Sequence, residues 1–419
     1  YLLMSANQIF KNARVIDGSG KEPVENGCII IDGPKIIHAG KDDSRLATKY
    51  PRADIIDLKG MTLMPGLIDA HVHLSLHGSP SYFNEMIMES PTLAALKAVK
   101  KVNRIIESGF TTIRTMGDKG QLDIAMKTAI TEGDIIGPRL RASGNCLTIT
   151  GGHGDMFPAH VNIQGMGRIV DGPSEARKAA REQIKAGADN IKLMATGGGM
   201  SPGPPTVSQL TIEEMRAAVE EAVKYGKTTA AHAIGADGIN NALKAGVRTI
   251  EHGSFLDEEG IDLLLTQDAY LVPTLAAFKT IKYGKEGGVP EYTIEKVQYF
   301  QTAHTKNLKK AMAAGVNIIV GTDAGTPFNY HGESAYELEC LVDNGFTEMQ
   351  AIQAATKTAA QALLLPEFGT LEKGKVADFI VVDGNPLQDI KILQNVEKVK
   401  MVYKGGQLVL SKPLSEWRE

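Results

Sequence analysis

The stretch GLIDAHVHLSLHG, residues 66–78, begins as an apolar β-strand and carries three histidines towards its end. Side chains two positions apart on a strand point to the same face, so His71 and His73 are predicted neighbours while Val72 points away. Two imidazoles on one face at the end of an apolar strand are typical of a metal-binding site. His77 follows the strand and is predicted to be a solvated loop histidine.

Seven further apolar segments follow along the chain, and each is succeeded by a helical stretch. They are residues 111–117, 139–144, 190–198, 228–233, 248–253, 269–275 and 317–325. Eight strands that alternate with helices between residues 61 and 365 predict a (β/α)8 TIM barrel, which is an α/β fold. A doubly wound sheet is the alternative, but the glycine-rich nucleotide loop expected after an early strand is missing from this sequence.

Two helices and two irregular stretches are predicted in some detail. Residues 174–187 form a helix with Ser174 as its cap, and residues 211–225 form one that opens with a capping box. Residues 144–173 and 196–210 are predicted to lack regular structure and to lie at the carboxyl-terminal face of the barrel. Active sites of this architecture lie at that face, and long irregular loops are usually functional.

Both ends of the chain have the pattern of β-hairpins. CIIIDGPKIIHAG (28–40) places two β-rich runs around a turn, and VKMVYKGGQLVLS (399–411) has the same style. We predict that residues 1–60 and 366–419 form a small β-sandwich domain beside a barrel of residues 61–365.

The composition indicates an ordinary enzyme. Hydrophobic residues make up 43% of the 419-residue chain, charged residues 22%, and the net charge is −4. A basic patch would be the first sign of a nucleic-acid-binding protein, and no apolar run reaches the length of a membrane span. The opening YLLMSANQIF is too short and too polar for an export signal. We therefore expect no nucleic-acid or membrane partner, a small-molecule or dipeptide substrate, and a homo-oligomer.

The three cysteines give no sign of a metal or disulfide framework. Cys28, Cys146 and Cys340 are widely spaced and odd in number. They are predicted to be small buried side chains in a reducing cytoplasm.

Four of the later strand segments carry a polar, chemically active residue at or near the end. These residues are Lys192, His232, His252 and Asp323. The carboxyl ends of all strands of a barrel lie on one face, so these side chains are expected to meet the first histidine pair there. His38, His160 and His304 are expected to be surface or packing histidines.

Lys192 is the unusual member of this set, because NIKLMATGGG (190–199) is otherwise an apolar strand and a glycine turn. A buried ammonium must find an anion or lose its proton. A neutral lysine amine can react with CO2 to give N6-carboxylysine, a carboxylate on a long stem. The alternative for Lys192 is that its side chain reaches solvent from the strand end. The TGGG turn that follows could bind an anion, or its small residues could only permit a close approach of the chain.

These segments resemble the amidohydrolase superfamily over nearly the whole chain. The resemblance rests on PGLIDAHVHL, the lysine of NIKLMATGG, the histidines of AHA and EHG, GTDAG, and GKVADFIVVDGNP. TGGHGD (150–155) and KAGVRTIEHGSF (244–255) are similar to the imidazolonepropionase-related group, which contains Xaa-Pro dipeptidases and carboxypeptidases acting on Xaa-Arg/Lys.

The resemblance implies a binuclear metal centre that hydrolyses an amide or peptide bond. One metal would be held by His71, His73 and Asp323, the other by His232 and His252, with carboxylated Lys192 and a hydroxide between them. Imidazole and carboxylate ligands together fit two Zn²⁺ ions best. Asp323 would move the proton and His153 would stabilise the oxyanion.

The substrate is less well defined by the sequence. Arg114, Ile234, Tyr330 and His331 are candidate substrate-binding residues, although Arg114 is also expected to pair with an acidic core neighbour. Xaa-Pro dipeptidases of this group tend to carry a tyrosine where this chain has Ile234, so Xaa-Arg/Lys dipeptides, N-acyl amino acids and aryl amides are alternatives. Cyclic-amide hydrolysis and a non-catalytic scaffold are further alternatives. A deaminase is disfavoured, because AIGADG after His232 lacks the expected glutamate.

Overall fold

The computed structural model describes residues 7–42, 49–161 and 163–412. Residues 1–6, 43–48, 162 and 413–419 of the predicted domains lie outside the described residues. The strands are β1 (Gln8–Val15), β2 (Val24–Asp32), β3 (Lys35–Lys41), β4 (Asp54–Asp57), β5 (Thr62–Pro65), β6 (Leu67–Val72), β7 (Phe110–Thr115), β8 (Arg139–Arg141), β9 (Cys146–Thr148), β10 (Gly167–Ile169), β11 (Asn190–Met194), β12 (Thr228–Ala233), β13 (Thr249–His252), β14 (Tyr270–Val272), β15 (Asn317–Ile318), β16 (Phe379–Val382), β17 (Val399–Lys404) and β18 (Gln407–Ser411).

The α-helices follow the barrel strands along the chain. They are α1 (Tyr82–Met88), α2 (Pro91–Glu107), α3 (Leu122–Glu132), α4 (Pro173–Ala186), α5 (Ile212–Lys224), α6 (Ala236–Lys244), α7 (Glu258–Thr266), α8 (Lys279–Gly287), α9 (Glu291–Ala314), α10 (Tyr336–Asp343), α11 (Glu348–Ala354) and α12 (Lys357–Ala362). None of the helices in the described ranges combines the length and the apolar character needed to cross a membrane.

Eight parallel strands, β6, β7, β8 and β11 to β15, close into the predicted barrel. Three of these strands form the sheet β6-β7-β8, and the other five belong to the sheet β10-β9-β11-β12-β13-β14-β15, in which β9 and β10 are added beside β11. The backbone bond from Asn190 N to Ala142 O (3.1 Å) joins the sheets at one side. The bonds from Ala70 N to Val320 O (2.9 Å) and from Asp323 N to His71 O (2.8 Å) join them at the other. The prediction of a TIM barrel is therefore confirmed.

The two ends of the chain pair with each other in a third, eight-stranded sheet outside the barrel. Its order is β18-β17-β16-β5-β1-β2-β3, with β4 also pairing with β1. Phe379 stacks on Tyr403 at 4.6 Å and Phe10 packs edge-on against both rings, which gives this sheet a core of its own. Strand Thr62–Pro65 pairs within this sheet, just beyond the predicted boundary at residue 60, and the division of the chain into domains stays a prediction.

The predicted helices were right in place and partly wrong in detail. Thr211 and Glu214 form the expected capping box at the start of α5. Helix α4 begins at Pro173 after Gly172 and is not capped by Ser174, because proline is preorganised for the first helical position. Residues 144–173 were predicted to lack regular structure and instead contain β9 and β10, whose three residues each are too few to show a periodic pattern.

Candidate active site

The carboxyl end of the barrel gathers all six predicted metal ligands around one cavity. The cavity has about 1020 Å³ of space, including its open mouth. Its floor is lined by His71, His73, Lys192, His232, His252 and Asp323. The barrel topology thus brings together six residues from five different strand ends.

Each histidine of the first strand uses one ring nitrogen to hold its position. His71 Nδ1 donates to Glu251 Oε2 (2.8 Å), and His73 Nδ1 donates to the Gly117 carbonyl (2.8 Å). The Nε2 atoms of both rings point at Asp323 Oδ1, at 3.4 and 3.2 Å. The outer hydrogen bonds fix the tautomers so that both Nε2 atoms are available as ligands.

Asp323 completes this half of the floor from the last barrel strand. Burial opposes ionisation of its carboxyl, but the neighbouring His71 and His73 hold its pKa well below the usual range. The same contact raises the pKa of His73, against the effect of burial. A carboxylate that faces two imidazoles within 3.4 Å is the donor set expected at a cation site.

His232 and His252 form the other half of the floor. His232 Nε2 donates to the Gly197 carbonyl (2.8 Å), and His252 Nδ1 is hydrogen-bonded to Thr274 Oγ1 (2.7 Å). Their ring centroids are 4.6 Å apart, and burial keeps both pKa values well below normal, so the rings are neutral. His232 Nδ1 and His252 Nε2 are the ring nitrogens that these contacts leave free.

The backbone is strained where it presents these groups. His252, Thr274 and Asp323 have φ angles of 71°, 51° and 60°, in the left-handed region that non-glycine residues seldom adopt. Such strain costs about 1–3 kcal/mol per residue and clusters at functional sites. A histidine, its hydrogen-bond partner and the aspartate all share it, which supports a functional role for this floor.

Lys192 lines the same floor and is 1% exposed. Among the described residues, its Nζ atom has no hydrogen-bond partner and no carboxylate within 4 Å. Burial lowers the pKa of its amine to about 8. The side chain is therefore not the solvent-reaching lysine of the alternative, and it presents an amine that loses its proton readily.

His153 reaches the floor from the loop after β9. Its ring lies 4.2 Å from that of His232, and its Nδ1 is hydrogen-bonded to Ser201 Oγ (2.9 Å). Burial, assisted by the charge of Lys192, lowers the pKa of His153 to about 3, so the ring is neutral. A Cβ atom on Gly198 would lie 2.4 Å from this ring, which favours close approach as the reason for the glycine turn.

Sequence reasoning missed Glu251, which is fully buried directly below His71. Besides His71, it accepts a hydrogen bond from Arg114 Nη2 (2.9 Å). The charge of Arg114 lowers the pKa of Glu251 despite burial. The available signal was a glutamate inside the apolar strand RTIEH. Two other strands carry an arginine and a histidine that could pair with it.

The four candidate substrate-binding residues are placed differently. Ile234 lines the cavity. Arg114 does not, because it is fully buried and bonded to Glu251, Thr249 and the Ala70 carbonyl, which corrects the substrate-binding hypothesis in favour of the acidic core partner. Tyr330 is 40% exposed and packs against Gly78, away from the cavity lining.

Three other histidines have structural contacts. His331, the fourth substrate-binding candidate, does not line the cavity. It donates from Nε2 to the His73 carbonyl (3.0 Å) and so helps to hold the backbone of that floor residue in place. His77 is not a solvated loop residue, since it is mostly buried and paired with Glu89 at 2.7 Å. His304 lines the cavity and is bonded through Nδ1 to Ser254 Oγ (3.0 Å).

The donor set fits divalent metal ions. Ligand atoms of His71, His252 and Asp323 lie within 4.8 Å of one another. Four imidazoles, one carboxylate and one amine converge on the floor, and the outer hydrogen bonds leave one nitrogen of each imidazole ring available as a ligand. The structure therefore contains a candidate metal site.

The fold and the site define a barrel hydrolase of the amidohydrolase type. Residues 62–409 match the profile of the Amidohydrolase family, so this chain belongs to that family.

Among its relatives, ochratoxinase from Aspergillus niger is 32% identical over 97% of this chain and 87% of the relative. A solved Xaa-Pro dipeptidase with bound methionine is 35% identical, with a TM-score of 0.87 over 96% of this chain and 99% of that chain. A prolidase complexed with N-methylphosphonate-L-proline is 31% identical, with a TM-score of 0.88 over 97% of this chain and 100% of that chain. The family match and these relatives show that the chain is a hydrolase, and they confirm the predicted resemblance to the amidohydrolase superfamily.

Proposed function

We propose that this hydrolase cleaves an amide or peptide C–N bond at a binuclear metal centre. The observation that carries the proposal is Lys192, a buried amine without a partner among the described residues, facing the same cavity as four histidines and Asp323. An ammonium without a close partner is costly to bury, and conversion of Lys192 into an anion would remove that cost and supply a ligand for cations.

The conversion is carboxylation of Lys192. The neutral Nζ atom attacks the carbon of CO2, an N–C bond forms, and one N–H proton leaves to solvent. The product is an anionic carbamate with two oxygens. Burial supports this step, because it favours the neutral amine over the ammonium.

The chain would then hold two Zn²⁺ ions. His71, His73 and Asp323 would bind one, His232 and His252 the other, and the carboxylated Lys192 both. When bound, such ions supply an activated water and polarise the amide carbonyl. Zinc fits best because the donors are mostly imidazole nitrogens.

The remaining chemistry belongs to residues of the chain. Asp323 accepts a proton from the attacking water and delivers it to the departing amide nitrogen. His153 is neutral and tilted against His232, so its Nε2–H can donate to the oxyanion that develops on the carbonyl. Gly197 and Thr274 keep His232 and His252 in their tautomers throughout.

Dipeptides are the first substrate class, because solved relatives at 35% and 31% identity are named Xaa-Pro dipeptidase and prolidase. N-acyl amino acids and aryl amides are the second, favoured by the apolar Ile234 in the cavity. Both classes present the same bond to the floor.

Steady-state kinetics of metal-loaded protein on a panel of dipeptides and N-acyl amino acids tests the proposal. Hydrolysis by the wild type is expected, and Lys192→Ala is expected to lose both bound metal and activity, with partial recovery on addition of short-chain carboxylic acids. Lys357→Ala, a change outside the cavity, serves as the control. Full metal content and activity in Lys192→Ala would refute the role of this lysine.

A further inference from the structure

The walls of the cavity differ sharply from its floor. One wall is built from Met86, Met156, Met166 and Met200, which pack in one apolar cluster and are called the methionine wall here. A second apolar cluster lines the cavity with Phe300, Val297 and Ile234. Thioethers adapt to irregular shapes and make favourable contacts with aromatic rings.

Hydrogen bonds from buried side chains tie these walls to neighbouring parts of the chain. Tyr82 OH donates to the Met200 carbonyl (3.0 Å) and lies 3.3 Å from Thr293 Oγ1, so one side chain joins the methionine wall to helix α9. Lys119, which is 4% exposed, donates from Nζ to the Met86 and Glu89 carbonyls. Preorganised walls lower the ordering cost of binding and favour ligands of matching shape.

Fixed charge is confined to the floor. Among the described residues that line the cavity, the only lysine, arginine or acidic side chains are Lys192 and Asp323. Asp323 already faces His71 and His73. Lys296, close by on α9, donates instead to the Ser201 and Gly203 carbonyls and does not line the cavity.

An ammonium or guanidinium placed against these walls would therefore lose water without gaining an anion. Burying an unpaired charge is strongly unfavourable. A free dipeptide carries such an ammonium next to the scissile carbonyl, and an Xaa-Arg/Lys dipeptide carries a second cation. An N-acyl group has no charge there, and an aromatic one would contact the thioethers.

We propose that the substrates of this site are amides whose acyl part is bulky, aromatic and uncharged, with no free amine beside the scissile carbonyl. The proposal rests on the proposed function and, of its two substrate classes, favours N-acyl amino acids and aryl amides over free dipeptides. Water adds to the acyl carbon, the C–N bond breaks, and the products are an aromatic carboxylate and an amine that takes up the proton.

Four substrates that share the leaving group L-phenylalanine separate the effect of the aromatic acyl group from that of the free ammonium. The metal-loaded enzyme is assayed with N-(2-naphthoyl)-L-phenylalanine, N-acetyl-L-phenylalanine, N-acetyl-L-alanyl-L-phenylalanine and L-alanyl-L-phenylalanine. We expect kcat/KM to be at least about 30-fold higher for the naphthoyl than for the acetyl compound, from the apolar area buried. We expect the acetylated dipeptide to be cleaved at least about 10-fold better than the free one, because only the ammonium differs.

A variant pair places the preference in the methionine wall. Met200→Glu adds an anion there, so it should lower kcat/KM for the naphthoyl substrate. The ratio of kcat/KM for the free dipeptide to kcat/KM for the naphthoyl substrate should therefore rise. Val207→Glu, which is 51% exposed in the same loop, should leave both values unchanged. Metal content and thermal unfolding of both variants confirm that the fold and the floor are intact.

The outcomes separate this proposal from the one it rests on. Cleavage of L-alanyl-L-phenylalanine at a rate equal to or above its acetylated form, or no preference for the naphthoyl group, overturns the substrate class while amide hydrolysis stands. Failure of the metal-loaded enzyme to cleave any of the four amides overturns amide hydrolysis and the substrate class together.

Discussion

Replacement of Glu251 by glutamine is expected to damage both stability and metal binding. The carboxylate joins His71 Nδ1 at 2.8 Å to Arg114 Nη2 at 2.9 Å, and the side chains of all three residues are at most 1% exposed. Glutamine keeps the shape and removes the charge, so Arg114 becomes a buried cation without a counter-ion. Breaking a buried ion pair in this way costs about 3–5 kcal/mol.

The effect on metal binding follows from the same contact. Glu251 accepts the Nδ1 proton of His71 and thereby keeps Nε2 free for a ligand bond. Changes of this kind to the partner of a metal-binding histidine lower affinity about 10–100-fold. Urea unfolding of the metal-free protein gives the loss of stability, and chelator competition gives the loss of zinc affinity.

Glu220→Gln is the matched control for this prediction. Glu220 pairs with Arg177 at 2.8 Å, but its side chain is 49% exposed, so its removal should cost about 0–1 kcal/mol and leave zinc affinity unchanged. If Glu251→Gln is also within about 1 kcal/mol of the wild type and binds zinc equally well, the reasoning about this buried pair is refuted.

Three further predictions use other parts of the molecule. His153→Asn should lower kcat about 100–1000-fold with little change in KM, and an unchanged kcat would remove His153 from the reaction. Asp69 Oδ1 accepts the backbone N–H groups of His71 and Thr322, both at 3.1 Å, so Asp69→Asn should weaken zinc binding about 10-fold in chelator competition; equal affinity would contradict a positioning role. Hydrogen bonds from Arg181 and other cations lower the pKa of Glu221 to about 2, so its contribution to stability is present above its ordinary pKa of 4.5 and is lost as the pH falls towards 2. Glu221→Gln should therefore flatten the acid side of the Tm–pH profile, and a profile unchanged from wild type would count against this.

The fold and the floor of the site could largely be predicted from the sequence. Strand periodicity places His71 and His73 on one face, and barrel topology alone brings Lys192 and Asp323 to the same end. Strand periodicity is a local rule, and the meeting of strand ends follows from the fold class, so both can be applied to a single sequence.

The support behind the floor could not be predicted, because it depends on contacts between distant strands. Glu251 and Arg114 are 137 positions apart, and nothing local distinguishes their pairing from separate surface charges. His304 was expected to be a surface or packing histidine; it is indeed a buried packing residue, but its place at the cavity wall on helix α9 was not foreseen. Strands of three residues, such as β9, are too short for a periodic signal.

The metal content of the purified chain, prepared with ample zinc and bicarbonate, tests the binuclear centre most directly. The ligand set around Lys192 predicts about two zinc ions per chain, the number at which both halves of the floor are filled. Fewer than about one ion per chain under these conditions would contradict the centre and would favour a non-catalytic scaffold with the same fold.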